Sequence, residues 1–342
     1  MSSSPRWVRR PAGSNWGEWG ADDQLGRLNL LTPRKVREGV AEVKEGLSFC
    51  LSLPLDIPGG NLLNERRHPP RLTPNLRNGS PNLNYVMAKD KPLSTDVLSD
   101  DTVLLHTQYS TQWDGLAHVG ALFDADGAGR SEAMYYNGYR AGTDVFAGGY
   151  VVDDAGRRVS ALGIERMAQT GVQGRGVMID LHHHLGDARV RVGYDTLMRI
   201  LDADRVEIDT GDMVCLHTGF SEIVLSLAGR PDPGTLGNSC AVLDGRDERL
   251  LRWIGDSGLS VIACDNYAVE GHPAQHQEGH CSEVPLHELC LFKLGIHLGE
   301  LWRLTPLASW LREHGRYRFL LTAPPLALPG AIGSPVTPVA TV

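Results

Sequence analysis

The sequence predicts a mixed α/β fold with strands in excess, organised as a single domain over its 342 residues. Three observations predict it. Apolar, β-branched runs bounded by Gly, Asp or Pro recur along the chain, amphipathic segments at helical spacing lie between them, and no stretch reads as a linker. Hydrophobic residues make up 42% of the chain, enough for a substantial core.

In chain order, the start "MSSSPRWVRRPAG" is basic and lacks the apolar stretch of a secretion signal, so residues 1–13 are expected as a mobile tail. The segment "TPRKVREGVAEVKEGLSF" opens with a Thr-Pro helix start, keeps apolar residues at helical spacing from Val36 through Val43, and stops at Gly46. It leads into a strand, "LSFCLSLPLD". Further strands are expected in "DTVLLHTQYS", "GRGVMIDL", "GDMVCLHTGF", "LSVIACDNYAV" and "RFLLTAPPLAL". Helices are expected in "SALGIERMAQTG", "GYDTLMRILDAD", "RDERLLRWIGDSG" and "LASWLREHG". Two stretches break the order: the Gly/Pro/Asn-rich region Ile57 to Asn84, and "NYAVEGHPAQHQEGHCSEVPLHELC". Loops this long inside a domain are usually functional or disordered, and the histidine density of the second favours function.

Bulk properties exclude several classes. With 41 acidic against 33 basic side chains the surface repels phosphate backbones, and the basic patch "RRHPPR" is interrupted by prolines, so no nucleic-acid partner is expected. No apolar run approaches the roughly 20 residues of a membrane-spanning helix, so a soluble, cytoplasmic protein without a membrane partner is expected. Six scattered cysteines without CxxC pairing read as free thiols, mostly buried.

The densest candidate for chemistry is "QYSTQWDGLAHVG". Gln112, Asp114 and His118 offer a neutral oxygen, a carboxylate and an imidazole, a ligand set for a divalent cation or simply a polar turn. Rival clusters are weaker. His182, His183 and His184 stand consecutively at an expected strand end, where alternating side chains cannot converge on one ion. His272, His276 and His280 are spaced by four, but Pro273, Gly271 and Gly279 argue for a solvated loop rather than a helix. In "PLHELCLFKLGIHLGELWRL", Glu300 lies in apolar surroundings and needs a cation or donor; His287 and His297 are both within sequence reach. Nucleophile-elbow, phosphate-loop, HExxH and dinucleotide-binding patterns are missing from the sequence.

The order of these pieces resembles the metal-dependent cyclase-like hydrolases, the family that includes bacterial kynurenine formamidase and isatin hydrolase. Its motif H-x-G-T-H-x-D-x-P-x-H is similar to Gln108 through His118: Thr111, Asp114 and His118 match, while Gln108 and Gln112 stand in place of histidines. "NWGEWGADDQLGRLNLLTP" resembles the amino-terminal signature of long, Gln-type members, "GDMVCLHTGF" and "ACDNYAVEG" their central strands, and "GSPVTPVA" the closing one. The resemblance implies a swivelling β/β/α fold, a strand-rich core with surrounding helices, assembled as a homodimer or homotetramer. It also implies one divalent ion per chain, Zn2+ or Mn2+, held by Asp114, His287 and Glu300, with Gln112 as a fourth ligand and Gln108 as a donor outside them. An amide is a weaker ligand than imidazole, which disfavours a second ion. His118 inherits the acid-base role. The activity implied is hydrolysis of a small-molecule amide, formamide or cyclic imide or lactam, with a lactone hydrolase or cyclase on the same site, or a non-catalytic relic, as alternatives. Trp113, Tyr136 and Trp302 are candidates for a substrate pocket wall, although core packing explains each equally well.

Overall fold

The computed structural model describes residues 5–146, 150–153 and 156–342. Its centre is a nine-stranded mixed sheet. In chain order the strands are β1 (Ser48–Cys50), β2 (Gln112–Asp114), β3 (Gln173–Asp180), β4 (Met213–His217), β5 (Val261–Cys264), β6 (His297–Glu300), β7 (Arg318–Thr322), β8 (Gly333–Pro335) and β9 (Val339–Thr341). They lie in the order β1-β9-β7-β3-β4-β5-β6-β2-β8. The run β3-β4-β5-β6 is parallel, and the flanking pairs are antiparallel.

The parallel strands read as unbroken apolar runs because both faces of the sheet are covered. Val177, Ile179, Val214 and Leu216 point into one core, while Met178, Met213 and Cys215 point into another. Helices Tyr194–Asp204 and Glu248–Asp256 cover the first core, and Thr305–Glu313 packs Leu307, Ala308 and Leu311 into the second. The helix Pro33–Ala41 starts as its Thr-Pro signal predicts, with the Thr32 side chain accepting the Lys35 N–H. It ends two residues before Val43.

Several expectations are corrected. The described part of the expected mobile tail is tied down: Val8 and Arg9 donate backbone N–H to Ala125 O, Trp7 packs edge-on against Trp16, and Arg6 pairs with Asp22. The strand expected in "DTVLLHTQYS" forms at Asp101–Leu104 but lies outside the sheet, in a ribbon with Arg71–Pro74 whose residues are all exposed. The three consecutive histidines occupy a helical turn, Leu181–Leu185, capped by Asp180, rather than a strand end. "SALGIERMAQTG" is helical only over Glu165–Gln169. All six cysteines are free; Cys50 and Cys281 are exposed and the other four buried. Among the described residues no helix is long and apolar enough to cross a membrane.

Candidate metal centre

The site is built where β2 meets β6. The antiparallel register sets Asp114 opposite Leu298, Trp113 opposite Gly299, and Gln112 opposite Glu300. Period-two alternation then sorts the motif: Gln112 and Asp114 share a face with Glu300, and Trp113 turns to the other. After Asp114 the chain turns sharply, the His118 N–H donating to Gly115 O, and this brings the His118 ring back beside the carboxylate.

His287 arrives from a different element, a single helical turn Pro285–His287 that continues as a π-helical stretch to Leu294. Glu270 fixes it. Glu270 Oε1 accepts the His287 backbone N–H at 2.9 Å and lies 2.7 Å from Nδ1, while Oε2 accepts the Leu286 N–H at 3.0 Å. Held this way, His287 Nε2 faces Glu300 Oε1 at 3.4 Å and Asp114 Oδ2 at 4.0 Å. One ligand atom from each of Asp114, His287 and Glu300 lies within 4.8 Å of the others, and all three residues are buried.

The polar inventory asks for a cation. Asp114 Oδ2 and Gln112 Oε1 are buried without a hydrogen-bond partner, a cost that a divalent ion among these atoms would remove. Gln112 Nε2 donates to Glu300 Oε2 at 3.0 Å, which orients that carboxylate and leaves the amide oxygen as a further neutral ligand. Burial pulls His287 toward neutrality, but Glu270 and Glu300 prevail and its pKa rises to about 10. A divalent cation would compete for the same lone pair. The donor set therefore fits a divalent metal.

Gln108 bridges the two remaining groups, its Nε2 donating to Asp114 Oδ1 and lying 2.9 Å from His118 Nδ1. His118 Nε2 is 3.8 Å from Asp114 Oδ1, and the side chain is 23% exposed, so it faces both the carboxylate and solvent. It stands outside the group of converging ligand atoms.

The rival histidines are occupied elsewhere. His182 pairs with Asp187 and His184 with Asp204. His272, His276 and His280 lie exposed in an irregular loop, as expected. His297, three residues before Glu300 on the same strand, points to the opposite face, and burial pushes its pKa down to about 3.

The aromatic wall is corrected. Trp113 and Trp302 are fully buried on the far face of the sheet, their rings edge-on at 5.0 Å, and Trp302 lies so close to Gly299 that a Cβ there would sit 2.8 Å from its Nε1. Tyr136 is also fully buried in the main core. A loop around 58–67, together with Gln108, Tyr109 and Tyr267, encloses about 10 Å³, room for one water, and Gln108 is the residue this space shares with the site. Another cavity, about 200 Å³, opens beside Met178, Asp180, His183 and Leu311. The Asp114, His287 and Glu300 trio is the single group among the described residues that could hold a metal ion, and none of its members lines that cavity. Sequence reasoning missed Glu270, whose only signal was a carboxylate inside the apolar run "YAVEG".

Residues 51–271 match the profile of a family described as "Putative cyclase". Among solved structures, the chain is similar to the crystal structure of a novel cyclase, at TM-score 0.75 and 28% identity over 96% of this chain and 97% of that one. It is similar in fold to isatin hydrolase A from Labrenzia aggregata bound to benzyl benzoate, at TM-score 0.55 and 13% identity over 90% and 97% of the two chains. An isatin hydrolase bound to the product analogue thioisatinate gives TM-score 0.54 at 13% identity, over 91% and 99%. No curated protein matches by sequence.

Proposed function

Because the chain belongs to the Cyclase family, we propose that it is a metal-dependent hydrolase that uses one zinc or manganese ion to open the C–N bond of a small amide, formamide or cyclic imide or lactam. The observation that carries this reading is the convergence of Asp114, His287 and Glu300 on one buried point, with Asp114 Oδ2 and Gln112 Oε1 left unpartnered around it. A relic scaffold would gain nothing from keeping such atoms buried and unpaired. Two carboxylates, one imidazole and an amide oxygen suit zinc or manganese.

Bound there, the ion supplies Lewis-acid polarisation of a carbonyl and a water acidified toward neutrality. The protein's own groups supply the rest. Glu270 holds His287 with Nε2 turned inward, and Gln112 holds Glu300. His118 is the group placed to handle hydrogen at the reacting carbonyl, and Gln108 sets how. With the Gln108 N–H aimed at Nδ1, the neutral ring carries its hydrogen on Nε2 and meets the substrate as a donor, stabilising negative charge on the carbonyl oxygen. Shuttling a proton through Nε2 requires hydrogen on Nδ1, and so a Gln108 amide turned to present its oxygen. Hydrolysis consumes one water: its oxygen bonds to the carbonyl carbon, the C–N bond breaks, and the nitrogen leaves with a proton.

A lactone presents the same carbonyl with a different leaving atom. The test is turnover by zinc- or manganese-loaded protein of N-formyl anilines, cyclic imides and lactones, abolished by chelation. No turnover of any class by protein carrying one ion per chain would refute the reading. We further propose a cytoplasmic homodimer or homotetramer, supported by six free cysteines and by exposed Leu72, Leu76, Leu93 and Leu104 on the 71–104 ribbons.

A further inference from the structure

We propose that Arg67 selects substrates bearing a carboxylate, so that the compound hydrolysed is a small acid as well as an amide or imide; this rests on the hydrolase reading. The basic patch "RRHPPR" found no role in the metal site, yet its second arginine reaches that site. Arg67 Nη1 donates to Gln108 O at 2.7 Å, and the side-chain amide of the same Gln108 touches both Asp114 and His118. Arg67 is half-buried and forms no ion pair among the described residues. A guanidinium has five N–H donors in a planar fork, and one of them is used here. The remaining edge is suited to a two-oxygen anion.

The surroundings point the same way. Arg67 lines the enclosed space with Asn64, Gln108, Tyr109 and Tyr267. Asn64 Nδ2 lies 3.4 Å from the Tyr267 hydroxyl, a second pair of polar groups on the same wall. Contacts lead from the arginine to the ion site: Arg67 donates to Gln108 O, and the Gln108 side chain donates to Asp114. Pro58, Leu62 and Leu63 give the same lining an apolar part beside Gly60 and Asn61.

The experiment compares matched substrates with and without the charge, such as N-formylaniline against its ring-carboxylated analogue, in metal-loaded wild type, Arg67→Met and Arg67→Lys. The expected result is a wild-type preference for the acid that Arg67→Met removes through a KM increase of about 10- to 100-fold, the worth of a charge-assisted bond. Turnover of the neutral partner and metal content should stay unchanged, and Arg67→Lys should recover part of the preference. Equal losses on both substrates would mean that Arg67 only pins the loop, and a loss of metal would mean that it only balances charge; either overturns the proposal while hydrolysis stands. Failure of wild type to turn over any member of the panel removes the hydrolase reading and this inference with it.

Discussion

Glu270 Oε1 lies 2.7 Å from His287 Nδ1 and also takes the His287 backbone N–H, so one carboxylate sets both the ring tautomer and the position of the main chain that carries it. With Nδ1 committed as donor, Nε2 is the nitrogen free to ligate. Glu270→Gln keeps the shape and removes the charge. It should weaken metal binding by about 10- to 100-fold in a chelator-competition titration. An unchanged affinity would show that the ring is oriented by packing alone.

The ligand assignment makes a separate prediction. Purified protein should hold close to one zinc or manganese per chain, and Asp114→Ala, His287→Ala and Glu300→Ala should each abolish retention, because each removes one of three converging ligands. His272→Ala and His276→Ala, in the exposed loop, should keep the ion. Elemental analysis decides it, and two tightly held ions, or loss on changing His272, would move the site.

The sequence carried the motif at Gln112 to His118 because strand alternation and a short turn are local properties, and both survive in the structure. The pairing of that motif with Glu300 was legible only through resemblance, since β2 and β6 are joined by register across 188 residues of chain. Glu270 was not legible at all: a buried glutamate in an apolar run gives no hint of which histidine it meets. The tryptophans failed for the opposite reason. An aromatic beside a ligand in sequence is on the other face of a strand, so adjacency to Asp114 argued against Trp113 as a wall.

That correction can be measured. Trp302 packs on Trp113 and Gly299, and its Nε1 donates to Gln112 O at 3.1 Å. Trp302→Ala should cost about 3–5 kcal/mol of stability in denaturant unfolding, the usual price of emptying a buried aromatic site. Native stability with a raised KM would instead return Trp302 to the substrate wall.

Asp180 and His217 give a pH prediction that involves no metal ligand. Burial pushes Asp180 up, but the 2.7 Å contact with His217 Nδ1 outweighs it, and the carboxyl falls to about 2 from 3.8. The His217 pKa is pulled down by burial and raised above 6.5 by Asp180 and Asp265. A depressed carboxyl stabilises above 3.8 and loses that contribution as pH falls toward 2. A raised imidazole stabilises below 6.5 and loses its contribution as pH climbs through its folded value. The pair is therefore fully effective between those limits, with the Asp180 share on the order of 2 kcal/mol. Melting curves of wild type and Asp180→Asn should differ most near pH 5 and converge toward pH 2. A gap that ignores pH would mean that the pair contributes packing, not charge.

His118 yields the last prediction, which separates two ways of serving the reaction. Its Nε2 is 3.8 Å from Asp114 Oδ1 and its ring stands outside the ligand trio, so His118→Ala should keep the ion and the fold while losing rate. A loss of about 10²- to 10⁴-fold is expected for either a lost proton carrier or a lost oxyanion donor. His118→Gln distinguishes them, because glutamine can donate a neutral N–H but cannot exchange a proton near neutrality. If Gln108 holds Nδ1 as an acceptor during turnover, as its 2.9 Å contact implies, His118→Gln should recover part of the rate. If His118 shuttles protons, the glutamine variant should be as poor as alanine. Full activity in His118→Ala would remove the residue from the mechanism, and loss of the ion would make it a ligand.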